Sequence, residues 1–153
     1  MNRNYYFYGM IFLLPHSRSE FKVNADEQLG KEEFFLKKLT SEKQKSAKME
    51  IIDWHGSILD CFKNNKPLKG CIKLRTDGII VYVETSKDKF GWVIPYYKLQ
   101  LFNSNGLHVY ADGNKISFRV NKKSQKCKNF MTKLLLAKLD HVSSRELMGN
   151  YDT

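Results

Sequence analysis

The side-chain rhythm of this chain changes once, at Pro67, and that change does most to limit what it can fold into. Beyond Pro67, apolar and polar residues alternate with period two, as in strands whose successive side chains point to opposite faces. Cys71-Ile72-Lys73-Leu74-Arg75 places Ile72 and Leu74 on one side, Lys73 and Arg75 on the other. Thr76-Asp77-Gly78 supplies a tight turn, because Asp and Gly accept the positive φ that hairpins require. Ile79–Val83, Phe90–Ile94, Tyr96–Phe102, Leu107–Ala111 and Lys115–Val120 continue the series, with turns at Thr85–Asp88, Asn105-Gly106 and Asp112–Asn114. Six short strands at this spacing predict an antiparallel sheet over 69–120 that curls into a sandwich or barrel.

Before Pro67 the period reads as 3.6. Ser41 and Gln44 have the spacing of a capping box, and Ala47, Ile51, Trp54, Ile58 and Phe62 recur at helical steps. This predicts a helix over about 42–63, stopped by Asn64-Asn65-Lys66-Pro67; Gly56 leaves room for a kink or an extended piece within it. Residues 15–30 read as a linker or long loop, and Lys31–Leu39 has helical composition. Tyr5–Leu14 is apolar enough for a signal-peptide core. It is aromatic and β-prone and lacks a small-x-small cleavage site, so it reads as a strand or an interfacial anchor. A final helix over 122–139 carries Cys127, Phe130, Met131, Leu134, Leu135 and Leu139 in one broad stripe that must be docked. The division is an N-terminal extension over 1–65, a domain over 66–140 and a fraying tail over 141–153. At 153 residues with 42% hydrophobic and 27% charged side chains, one core of ordinary size is expected and wholesale disorder is not.

Strands followed by one amphipathic helix resemble the pleckstrin-homology-like (PH-like) superfold. Leu68-Lys69-Gly70-Cys71-Ile72-Lys73-Leu74-Arg75-Thr76-Asp77-Gly78-Ile79-Ile80-Val81 resembles the opening of GRAM and bacterial PH-like domains. Ile94-Pro95-Tyr96-Tyr97-Lys98-Leu99 resembles their Ile-Pro-aromatic segment. The resemblance covers roughly 66–140. It implies an α+β fold, an antiparallel PH-like β-barrel capped by a C-terminal helix, with an N-terminal helical extension. The six strands are one fewer than that barrel has, which leaves one to come from Tyr5–Leu14 or from a split of the 47–62 segment. The turn at 76–78 is also shorter than the basic first loop with which phosphoinositide-binding members cage a headgroup.

Function is less legible. The four histidines are scattered, and no phosphate-cradling loop, nucleophile elbow or metal-ligand spacing occurs. Asp53-Trp54-His55 reads as helix surface. The expectation is therefore a non-enzymatic protein with no cofactor and no metal. Cys61, Cys71 and Cys127 form no C-x-x-C pair, which fits reduced thiols in a cytoplasmic protein that could sit peripherally at a membrane. No window is long and apolar enough for a transmembrane helix. Charge gives the one lead: net +10 overall, with +2 in residues 1–68 and +8 in 69–153. From Lys115 to Lys138 there are eight cations and no carboxylate. Such a field attracts an anionic phospholipid surface, an acidic protein or peptide, or nucleic acid. The candidate anion-binding residues are Lys73, Arg75 and Lys87 on an expected common rim, with Lys89 and Lys98 nearby. Arg119, Lys122, Lys123 and Lys126 form a second patch. The nucleic-acid alternative uses the basic 115–138 surface, with Tyr82, Trp92, Tyr96, Tyr97 and Tyr110 as stacking platforms. A peptide could instead add a strand or enter the groove between helix and sheet.

Overall fold

The structure, a computed structural model, describes residues 6–7, 10–14, 18–30, 44–60, 62–63 and 65–151. The elements are β1 (Tyr6–Phe7), β2 (Ile11–Leu14), α1 (Arg18–Leu29), β3 (Met49–His55) and a 3-10 turn (Ser57–Asp60). They continue with β4 (Pro67–Arg75), β5 (Gly78–Thr85), β6 (Lys89–Pro95), β7 (Gln100–Asn103), β8 (Leu107–Ala111), β9 (Asn114–Phe118) and α2 (Gln125–Tyr151). The fold is α+β. Its strands pair in the order β1-β2-β6-β5-β4-β3-β9-β8-β7, antiparallel throughout.

Strand β3 joins the two halves of this sheet. Met49 and Glu50 pair with Gly70 and Lys69 of β4, whereas Ile51 through His55 pair with β9. A register shift between Ile51 and Asp53 marks the bulge where the strand changes partner, and bulges bend a strand at such points. The main core gathers between the halves: Ile72, Ile79, Val81, Trp92, Ile94, Tyr96, Leu107, Val109, Ile116 and Phe118. Phe130, Met131 and Leu134 of α2 close it. The sheet does not complete a barrel among the described residues, because β2 takes the free edge of β6 and leaves β1 and β7 as the two edges.

A second, smaller core lies on the other face. Phe21, Ala25 and Leu29 of α1 pack with Phe12, Ile80 and Val93. Covering both faces of β5 and β6 explains why Ile79, Ile80 and Val81 are consecutively buried, as are Trp92, Val93 and Ile94; strands sandwiched in this way lose the polar half of their alternation.

Four expectations need correction. The helix expected over 42–63 is strand β3 followed by the 3-10 turn. Its apparent helical period came from joining Ile51 and Trp54, which share the inward side only because of the bulge between them, to Ile58 and Phe62 beyond Gly56. Gly56 adopts φ +98°, and a Cβ there would lie 2.3 Å from the carbonyl oxygen of Gly113, so no helix passes through it. The loop expected over 15–30 contains α1, whose buried Phe21, Ala25 and Leu29 sit at steps of four. The tail over 141–153 continues α2 as far as Tyr151. Tyr96–Lys98 form a turn, so β7 begins only at Gln100. The Lys31–Leu39 stretch, Ser41 and Cys61 lie outside the described residues. The strand expected within Tyr5–Leu14 is present as β2, paired from Ile11↔Trp92 to Leu14↔Lys89.

Candidate functional site

Lys73 and Arg75 share a face of β4, as alternation requires, but α1 packs on that face. The Arg75 side chain is only 7% exposed, 3.0 Å from Oδ1 of Asp26, and donates a second bond to the carbonyl of Gly30. Asp77 N donates to the carbonyl of Leu29 at 3.0 Å. Arg75 therefore holds the C-terminal end of α1, where carbonyls lack intrahelical donors and a cation is favoured. Lys73 is half-buried, and Lys45 bridges to it as an added backbone partner. Lys87 is far away. Arg75 pairs with Gly78 at one end of the β4–β5 hairpin, whereas Thr85, two residues before Lys87, pairs with Pro67 at the other. Eight residues of strand put roughly 25 Å between them. The Lys73–Arg75–Lys87 rim is not assembled.

At the Lys87 end, Arg18, Phe21, Lys69, Tyr82, Lys87 and Lys89 line an open groove of about 910 Å³. Its cations face carboxylates. Glu84 lies 2.9 Å from Lys48 and 3.9 Å from both Lys69 and Lys89. The Lys48 hydrogen bond holds the Glu84 carboxyl below its ordinary value, against the opposing effect of its desolvation. Asp88 accepts from the side-chain amide of Asn65 at 2.8 Å, which ties the 85–88 loop down. Lys98 is 3.4 Å from Asp112 and sits 5.8 Å above the Tyr97 ring.

The second patch is less neutralised. Arg119 is 3.3 Å from Glu50, but Lys122, Lys123 and Lys126 are exposed and make no ion pair among the described residues. Ser124 Oγ accepts from Cys127 N at 3.3 Å and caps the start of α2. Lys126 also lines a groove of about 720 Å³ between α2 and the 45–47 segment, with Lys45, Lys133, Asn129 and Phe130. Among the described residues no carboxylate lines it. Its other half was not readable in advance, because Lys45 reaches it only through a bridge to β4 that no local pattern announces.

Further along α2, Leu135, Leu136 and Leu139 are 40%, 53% and 60% exposed. Leu135 and Leu139 were expected in the docked stripe. The stripe is narrower, with Phe130, Met131 and Leu134 buried and Cys127 and Ala137 beside them. At this level of the helix Lys138 Nζ donates to the carbonyl of Tyr96 at 2.5 Å, and burial pulls its pKa below the usual lysine value. Tyr96 is buried, donates its hydroxyl to the carbonyl of Arg75 at 3.1 Å, and has its pKa pushed up to about 12 by desolvation and then by Asp77.

Two more clusters complete the surface. On β3 and β9, Asp53 bridges His55 at 3.1 Å and Lys115 at 2.8 Å, and the Lys115 hydrogen bond holds the Asp53 carboxyl below its ordinary value. A strand, unlike the helix expected there, puts Asp53 and His55 on one side. On β7 and β8, the exposed Phe102 meets Tyr110 edge to face at 5.4 Å, with Lys115 above Tyr110 at 5.9 Å. Of the expected stacking platforms, Trp92 and Tyr96 are core residues. Among the described residues no group of three or more His, Cys, Asp or Glu is placed to hold a metal ion, and no helix is long and apolar enough to cross a membrane. Comparisons with protein-family models, curated proteins and solved structures found no match.

Proposed function

We propose that this chain is a non-enzymatic, PH-like binding module that recognises an acidic partner, an anionic membrane surface foremost. The observation that carries the reading is the run from Lys115 to Lys138, eight cations without a carboxylate in sequence. Within it Lys115 and Arg119 pair with Asp53 and Glu50 of β3 and Lys138 bonds the Tyr96 carbonyl, while the turn after β9 and the first turn of α2 carry the exposed Lys122, Lys123 and Lys126. Elsewhere most candidate cations have acidic neighbours. Lys122, Lys123 and Lys126 make no ion pair among the described residues and stand exposed beside a groove whose described lining carries no carboxylate. Seven strands from Met49 to Phe118 followed by a helix support the PH-like resemblance, with β3 supplying the strand missing from the sequence count. A cytoplasmic protein bound peripherally at the membrane fits this arrangement.

Co-sedimentation with phosphatidylcholine vesicles, with and without phosphatidylserine, tests the reading. Attachment should need the anionic lipid and weaken with salt. Replacing Lys122, Lys123 and Lys126 with alanine should lower it about a hundredfold, at ~1 kcal/mol for each lysine near the surface. Equal sedimentation with both vesicle types would refute the membrane reading. An acidic protein face would engage the same lysines without responding to lipid. The nucleic-acid reading is favoured by one observation, the Phe102–Tyr110 pair beside Lys115. A salt-titrated gel shift that is lost on Phe102→Ala would support it.

A further inference from the structure

The exposed apolar residues of this protein are not evenly spread. Single exposed hydrophobics such as Val23, Ile52 and Leu68 need no explanation, since much of any protein surface is apolar. Leu135, Leu136 and Leu139 are different. They are each at least 40% exposed, adjacent at helical spacing, and turned away from the side of α2 that buries Phe130, Met131 and Leu134. The Lys138–Tyr96 hydrogen bond sets this level of the helix against the 96–98 turn, whose Tyr97 is 56% exposed. On the N-terminal side Lys128 shares the flank of Leu135 and Leu139 at helical spacing, Lys133 lies on the other flank of Leu136 and with Lys126 borders the 45–47 groove, and the first carboxylate on α2 is Asp140.

From this juxtaposition we infer that the outer face of α2 lies on an anionic bilayer and that Leu135, Leu136 and Leu139 enter the boundary between headgroups and acyl chains. The inference rests on the membrane reading above and adds what that reading leaves out, a component of attachment that salt does not remove. Leucines backed by lysines are the composition of a helix lying in the interface plane, where apolar area sets the depth and cations select anionic lipid. Charge complementarity decides the occupant: an uncharged groove would accept the leucines but not the lysines beside them. Tyr97 adds an amphipathic ring of the kind that settles at headgroup level.

The test compares the full chain with a Leu135→Ser, Leu136→Ser, Leu139→Ser variant on phosphatidylcholine–phosphatidylserine vesicles at low and high salt. The wild type should keep a residual bound fraction at high salt. The variant should lose that residue and bind about tenfold or more weakly at low salt, given the transfer free energy of even partly buried leucines. A Leu139→Trp chain should in addition be quenched by acyl-brominated lipid beyond the wild-type background. Because the leucines are solvent-exposed, the serine variant should keep its thermal midpoint. If the variant matches the wild type, or Leu139→Trp is not quenched, the insertion is wrong while the charge-based reading stands. If the wild type ignores anionic vesicles at low salt, that reading fails and the insertion with it. If the lipid-free wild type is a dimer that the serine variant splits, the ridge is instead an interface between copies of this chain.

Discussion

Arg75 shows how one side chain can be misjudged from its neighbours in sequence. Its place beside Lys73 on an alternating strand suggested a phosphate contact, yet its guanidinium is committed to Asp26 and Gly30. Charge-assisted bonds of this kind contribute ~1.5–3 kcal/mol each, and removing one partner strands the other. Arg75→Ala should therefore cost about 2–3 kcal/mol in urea unfolding and leave vesicle attachment unchanged. An affinity loss without a stability loss would return Arg75 to the binding surface. Glu84 makes a pH prediction. Its folded pKa is depressed below the ordinary 4.5, so its contribution to stability is present above that value and lost as pH falls through the folded value. The thermal midpoint of Glu84→Gln should lie below the wild type at neutral pH and converge with it in strong acid. A constant gap across that range would show that the carboxylate's charge is not what matters.

At the scale of elements, strands were legible and helices less so. The turns at Asn105-Gly106 and Asp112-Gly113 follow from local chemistry, and Asn105 and Asp112 do adopt positive φ; the β4–β5 hairpin forms where expected but without it, since neither Asp77 nor Gly78 adopts positive φ and Gly78 already belongs to β5. Local pattern misled where tertiary context decides side-chain direction. The β3 bulge shifted Ile51 and Trp54 into false helical register. α1 was missed because its buried line, Phe21, Ala25 and Leu29, is one residue wide and embedded in polar sequence. The clue lay elsewhere, in the unbroken apolar runs of β5 and β6, which call for cover on both faces. The helix seats so closely that a Cβ on Gly91 would fall 2.6 Å from the Phe21 ring. Gly91→Ala should push α1 off β6 at a cost of roughly 1–3 kcal/mol. Amide hydrogen exchange should then quicken across 18–29 while β8 and β9 keep their protection; uniform quickening would mean that α1 and the sheet unfold as one unit.

For the molecule as a whole, the sheet's composition was visible in the sequence and its surface was not. Summed charge located the basic run, but which cations remain unneutralised depends on pairings such as Arg119–Glu50 and Lys98–Asp112 that join distant strands. Removing residues 1–30 should uncover Ile80, Val93 and the edge of β6 together. Light scattering should then show aggregation, because an exposed apolar strand edge templates self-pairing; a monodisperse truncated chain would mean that the remainder is a self-sufficient domain. The pairing of Ile11 with Trp92, 81 positions later, also governs how the chain comes together on the ribosome. β2 and α1 precede β6 in the chain, and their docking surface is not synthesised until β6 has followed them, several seconds afterwards at ordinary translation rates. β2 and α1 thus wait for a partner made much later, and a nascent-chain chaperone that shields their apolar faces in that interval would raise the yield of folded protein.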